Sequence, residues 1–199
     1  MTDLRGKTVG FGITGSHCTY AEVFPEIERL VEKGVHVVPI FSNAVVNTST
    51  RFGEAGEWVQ KIESLTGEKG IFTIPDAEPL GPSKKIDCMV IAPCTGSTLS
   101  RFANAQTDSP VLMAAKATLR NDRPVVLAIS TNDGLGLNMA NIARLMATKN
   151  VFFVPFGQDD PVNKINSLVA DMSRLQPAIA AALEKTQTQP VLIERHKPA

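Results

Sequence analysis

Hydroxyl-rich, glycine-punctuated stretches recur along the chain: Thr14-Gly15-Ser16-His17, Ser42-Asn43, Pro93 to Thr98 (PCTGST) and Ser130-Thr131-Asn132. Neutral O–H groups next to unpaired helix N–H groups suit an anion, here a monophosphate with a polar tail. Any one of these stretches could equally be an ordinary helix cap. Four of them at strand ends point to a cofactor. His17 falls at a helix start, where the positive dipole end disfavours its cation, so it is read as a neutral donor or as a capping residue. Cys94 lies within PCTGST and is either a thiolate or a small filler, whereas Cys88 reads as core. Arg51, in TSTRF, and with it Arg101 and Lys116, are candidates for gripping a dicarboxylate, because a guanidinium binds a carboxylate through two parallel hydrogen bonds.

Other chemistries find less support. Cys18, Cys88 and Cys94 are too scattered for a disulfide framework or a zinc site, and His17, His36 and His196 are equally dispersed, so no metal is expected. Gly10, Gly12 and Gly15 satisfy GxGxxG, yet Gly10 and Gly12 alternate with Val9, Phe11 and Ile13 inside a strand-like run. The second strand ends in Phe41, Ser42 and Asn43, without the acidic residue that would hold an adenosine ribose, so NAD is not the first expectation. No glycine-lysine pair followed by Ser or Thr marks a P-loop.

The elements that must position these loops are legible from periodicity. Apolar, β-branched runs at Thr8 to Thr14, Val35 to Phe41, Cys88 to Ala92, Val125 to Ser130 and Val151 to Pro155 alternate with helical spacing. The pattern predicts an α/β fold: a Rossmann-like, doubly wound parallel sheet with helices on both faces. Phe24, Ile27, Leu30 and Val31 share one face of a first helix, which Gly34 should end near Lys33. Further helices are expected at about residues 54–65, 98–105, 109–119 and 138–147. Val162, Ile165, Leu168, Val169, Met172 and Leu175 form an apolar stripe that predicts one long last helix, kinked or divided at Pro177. Residues 67–82 read as a connection with a short strand at Ile71 to Ile74, and Val191 to Ile193 as an apolar patch in a polar tail that starts at about residue 184.

At 199 residues, 43% hydrophobic and 20% charged, the chain fits one domain spanning residues 1–199. Lys plus Arg and Asp plus Glu both number 20, so no net field draws it to nucleic acid or an anionic membrane. Nothing resembling a signal peptide or a membrane span is evident, and a cytoplasmic location is expected.

At PCTGST and the stretch after it the chain resembles the flavoprotein family that includes FMN-dependent cysteine decarboxylases and flavin prenyltransferases. A strand ending in TGS, a second ending in FSNAV, the stretch APCTGSTLSRFANAQTDSPVLMAAKATLRNDRPVVLAISTN and a helix with NMANIARLM carry the likeness, which covers residues 7 to 183. Within the family, APCTGSTLSRFANAQTDSP and VVLAISTNDGLGLN look most like the branch of dipicolinate synthase B subunits from spore-forming bacilli.

The resemblance implies FMN near a subunit interface in a homo-oligomer, a trimer or a multiple of one. Thr14, Gly15, Ser16 and His17 would line the first cofactor loop, Ser42 would face the flavin, and Thr95, Gly96, Ser97 and Thr98 would surround the phosphate or ribityl chain. Ser130 stands where the prenyltransferases place an arginine, which weakens that activity. The decarboxylases carry a histidine where this chain reads Ala77 to Pro82 without one, although Asn132 occupies the place of their asparagine. The branch implies oxidation of dihydrodipicolinate to dipicolinate with an A subunit, in the cytoplasm of the sporulating mother cell, with NADP brought by that partner. His17, Asn132 and Arg51 are the candidates for catalysis and substrate binding. The alternatives are an FMN-dependent decarboxylase of a cysteine-derived carboxylate and a non-catalytic partner of the A subunit.

Overall fold

The computed structural model describes residues 2–195; His196 lies outside the described residues. Five strands, β1 (Thr8–Ile13), β2 (His36–Phe41), β3 (Cys88–Cys94), β4 (Val125–Thr131) and β5 (Val151–Phe153), pair in parallel in the order 2-1-3-4-5. All seven residues of β3 are buried, as expected of a central strand covered on both sides. From β1 the chain steps outward to β2, and from β3 it steps the other way to β4. Right-handed crossovers in opposite directions place their helices on opposite faces. The helix α1 (Tyr20–Glu32) therefore covers one face and α7 (Pro110–Arg120) the other.

Between these stand α2 (Asn43–Asn47), α3 (Ala55–Thr66), α4 (Ile74–Ala77), α5 (Leu80–Ser83) and α6 (Gly96–Ala103). α8 (Asn138–Met146) precedes β5, and α9 (Leu175–Leu183) packs beside α1. Helix α1 ends where expected, with Lys33 as its cap and Gly34 at a positive φ of 76°. Gly10 and Gly12 lie within β1; a Cβ on Gly12 would stand 2.7 Å from Val111 of α7, so that helix reaches the sheet only over a bare backbone.

Two expectations are corrected. The stripe from Val162 to Leu175 is not one helix. Val162 and Ile165 are exposed, at 82% and 64%, in turns, while Leu168–Ala170 forms a buried strand, β7. Contiguous apolar residues at 168–170 fit the pleat, and their spacing from Val162 and Ile165 matches the helical period by chance. Helix α9 starts only at Leu175, so Pro177 stands in its first turn, where no intrahelical N–H bond is lost. The strand foreseen at Ile71 to Ile74 reduces to a single bridge between Ile71 and Ile40; Ile74 already begins α4.

The doubly wound parallel sheet carries a short antiparallel extension that makes it mixed. β7 runs antiparallel to the end of β4 through Ser130 and Thr131, and β6 (Phe156–Gly157) pairs with β7. The apolar patch at residues 191–193 is tied to β6, with Phe156 N–H donating to Val191 O and Ile193 N–H to Phe156 O.

Candidate functional site

In the 2-1-3-4-5 order the winding reverses between β1 and β3, and the crevice beyond their carboxyl ends is where such folds place ligands. Its floor is built by the sequence of β3. Pro93 has no N–H to give a ladder, and the β3 to β4 register shifts between Ile91 and Cys94. The Pro93 carbonyl accepts the Thr14 hydroxyl at 2.6 Å, and the Thr95 N–H donates to Thr14 Oγ1 at 3.1 Å. Thr14, 1% exposed, thus pins the first loop to the third strand where the two part.

Around that pin the four hydroxyl-rich stretches converge. The Ser16 and Ser130 hydroxyls are 2.8 Å apart, joining the ends of β1 and β4. Thr95 caps α6, its Oγ1 accepting from Thr98 N–H at 3.3 Å and lying 3.0 Å from Thr98 Oγ1. Among the described residues the Gly96 and Ser97 N–H groups of this first turn have no partner. Ser42 is held by its N–H donating to Ile13 O at 3.0 Å, and its hydroxyl is buried without a partner among the described residues. A Cβ on Gly96 would lie 2.5 Å from Thr131 Oγ1 and 2.7 Å from Asn138 Nδ2, so α6 starts in direct contact with the end of β4 and the start of α8.

The cofactor loops named from sequence, Thr14 to His17, Ser42, Thr95 to Thr98 and Ser130, therefore share one edge. His17 sits in a short 3-10 turn ahead of α1 and is buried. Its Nδ1 lies 3.1 Å from Gly15 O, which fixes the proton on Nδ1 in the neutral ring, and Nε2 is buried without a partner among the described residues. Asn132 is exposed beside Thr131. Arg51 is not part of the hydroxyl network; it lies at the tip of a turn closed by Thr50 and Gly53, its guanidinium 4.9 Å from the Phe52 ring centre. Arg101 is paired with Asp108 at 3.6 Å.

Cys94 is a filler rather than a thiolate: burial pushes its thiol up to about 12. Cys88 is likewise raised by burial, with the Asp87 charge adding to it. Among the described residues no group of three His, Cys, Asp or Glu side chains could hold a metal ion.

Sequence reasoning misses Tyr20, whose hydroxyl donates to Thr14 O at 2.9 Å, and Trp58, whose ring meets Tyr20 edge-on at 5.4 Å. These are the single Tyr and the single Trp of the chain. The spacing of His17, Tyr20 and Phe24 on one helical face is the available signal; the Trp58 side of the contact is long-range and has none.

The unpartnered N–H groups of Gly96 and Ser97 at a helix start and the unpartnered Ser42 hydroxyl fit the phosphate and polar tail of FMN. Comparison with known proteins agrees with this chemistry. The model of the Flavoprotein family matches residues 1–184. The B subunit of dipicolinate synthase from Bacillus subtilis (strain 168) is 61% identical over 197 residues, which are 99% of this chain and 98% of that protein. The crystal structure of the corresponding B subunit from Bacillus halodurans C is 60% identical, with a TM-score of 0.90 over 98% of this chain and all of the other. The crystal structure of the cypemycin decarboxylase CypD is 25% identical, with a TM-score of 0.67 over 92% and 96% of the two chains.

Proposed function

The chain belongs to the Flavoprotein family, and on that premise we propose that it acts as the B subunit of a dipicolinate synthase, oxidising dihydrodipicolinate to dipicolinate together with an A subunit. The observation that carries the reading is the likeness to the Bacillus subtilis protein across 99% of the chain, which takes in every loop of the strand edge. The reaction removes a hydride and a proton from the ring, and aromatisation drives it.

Bound FMN would supply a hydride acceptor. The chain's own residues do the holding. Gly96 and Ser97 N–H groups with the Thr98 hydroxyl receive the phosphate, and Gly15, Ser16 and Ser130 line the polar tail. Ser42 offers its unpartnered hydroxyl to the ring system. Thr14 and Thr95 keep these loops in register, so orientation costs nothing at the moment of reaction. Arg51 and Asn132 face the solvent side, where a dicarboxylate would arrive, and His17 offers Nε2 as a base. The assembly is a homo-oligomer working in the cytoplasm of the sporulating mother cell, and NADP, where used, comes with the A subunit. Among the described residues no helix is long and apolar enough to cross a membrane.

The stretch Ala77 to Pro82, packed as α4 and α5 against α7, brings no histidine for cysteine decarboxylation. The test is dipicolinate formation by the A subunit with and without this chain. Turnover that rises at least about tenfold on mixing supports the reading. An A subunit that alone matches the mixture contradicts it.

A further inference from the structure

A cavity of about 530 Å³ lies at the far end of α6 from the cofactor cradle, within the size range of small-molecule clefts. Helix α6 begins at Gly96 in the cradle and ends at Ala103 on the cavity wall, a rise of roughly 10 Å. None of the hydroxyl-rich loops lines the cavity, so it is separate from the crevice. The rest of its wall comes from α7 and the last turn of α8. Its apolar surface is that of the half-buried Ala103 and Leu119, backed by the buried Leu112 and Leu145, together with the methylene stems of three cations.

The charge in the lining has one sign. Lys116, Arg120 and Arg144 line the cavity, and among the described residues no carboxylate does. Arg144 is held at the rim by neutral acceptors, its Nη1 donating to Asn104 Oδ1 at 2.8 Å and to Ala103 O at 3.2 Å. Lys116 and Arg120, four positions apart on α7, share a helix face and have no hydrogen-bond or ion-pair partner among the described residues. Glu78, which borders a smaller neighbouring hollow with both of them, pairs with neither. Asp108, next to Thr107 of the wall, is taken by Arg101. Part of the positive charge answers helix ends, because Arg120 and Arg144 stand in the last turns of α7 and α8 and α6 ends beside them. Each such end carries about half a negative charge, so three whole cations leave the cavity positive.

We propose that this cavity binds a small monoanion with an apolar body, of the medium-chain or aryl carboxylate class, its carboxylate at Lys116 and Arg120 and its body over Leu119 and Ala103. A guanidinium fork beside an ammonium matches one carboxylate. The helix ends here present carbonyls rather than the N–H groups that start α6, so a compact polyanion such as phosphate finds no second set of donors. Crevice and cavity thus take different ligands, the one through neutral donors and the other through cations on an apolar wall. The cavity ligand is independent of the dipicolinate synthase reading, since the two places share no residue.

Octanoate is the probe, titrated calorimetrically into the full chain beside octan-1-ol and inorganic phosphate. The expected result is one saturable site for octanoate, with a Kd raised about tenfold in each of Lys116→Gln and Arg120→Gln. Lys85→Gln, which removes an exposed cation outside the cavity, is expected to leave it unchanged. Octan-1-ol lacks the charge and phosphate lacks the apolar body, so each is expected to bind at least about tenfold more weakly than octanoate. Lys116 and Arg120 are exposed, so their replacement spares the fold, which an unchanged urea midpoint verifies. The comparison of the three probes on the wild-type chain holds whatever the variants do. Absence of octanoate binding overturns the site, as does octan-1-ol or phosphate binding as tightly as octanoate. Octanoate binding that is unmoved in both cavity variants, or weakened as much in Lys85→Gln, overturns it too. A wild-type chain that binds no octanoate and whose assembly mass by light scattering falls in Lys116→Gln and Arg120→Gln gives the face to a second copy of the chain, and overturns the site.

Discussion

Thr14 shows how one side chain organises the site: its hydroxyl donates to Pro93 O and accepts from Thr95 N–H, tying two strands at the point where the sheet parts. That Thr14, Ser16, Ser42, Thr95 and Ser130 gather is readable from sequence, because strand ends of a parallel sheet lie on one edge whatever the loop sequence. Which of them bond one another is not, since Ser16 and Ser130 are separated by 114 positions and their contact depends on sheet geometry. Cys94 is ambiguous from its position in PCTGST and is settled by burial. Its folded thiol is raised to about 12, above the unfolded thiol at about 8.5, and Cys88 is raised too. A group with a raised folded pKa contributes stability below the unfolded value that is lost as pH rises. The urea midpoint is therefore expected to hold to about pH 8 and then fall, with a shallower fall in Cys94→Ala. A midpoint that is flat to about pH 10 in the wild-type chain, or an equal fall in the variant, contradicts the burial of this thiol.

Five parallel strands and most of the helices are legible because each repeats one period over enough residues. The larger of the two exceptions is the stretch at residues 162–175. Spacing groups Leu168, 4% exposed, in a helix with Val162, yet it lies on β7 against the end of β4. Spacing of three and four cannot distinguish a helix from exposed turns followed by a three-residue strand, and an antiparallel pair this short leaves no alternation to read. The two descriptions differ in a measurable way. Leu168→Ala removes buried surface and is expected to cost about 2–5 kcal/mol. Val162→Ala, at an exposed turn, is expected to stay within about 0.5 kcal/mol. Urea denaturation of both variants checks this, and comparable losses at the two positions would favour the continuous helix. The β6 to β7 pair extends the sheet beside Ser130, so this element also shapes one wall of the crevice.

Seen as a whole, the molecule sets a rigid doubly wound sheet behind a crevice lined with neutral donors, and sets a cation-lined cavity at the far end of α6. Family membership and near-complete likeness to dipicolinate synthase B subunits agree with a flavin in the crevice. The central claim is that this edge holds FMN, and retention of FMN through gel filtration tests it most directly, read by visible absorbance and by the identity of the flavin that heat releases. The wild-type chain is expected to retain FMN. Gly96→Ala, whose new Cβ meets Thr131 and Asn138, is expected to lose it, and Ser42→Ala to hold it about tenfold more weakly at unchanged stability, because the hydroxyl it removes has no partner among the described residues. A wild-type chain that emerges without flavin after loading at high FMN, or a Gly96→Ala variant that retains it as well as the wild type, would contradict the account.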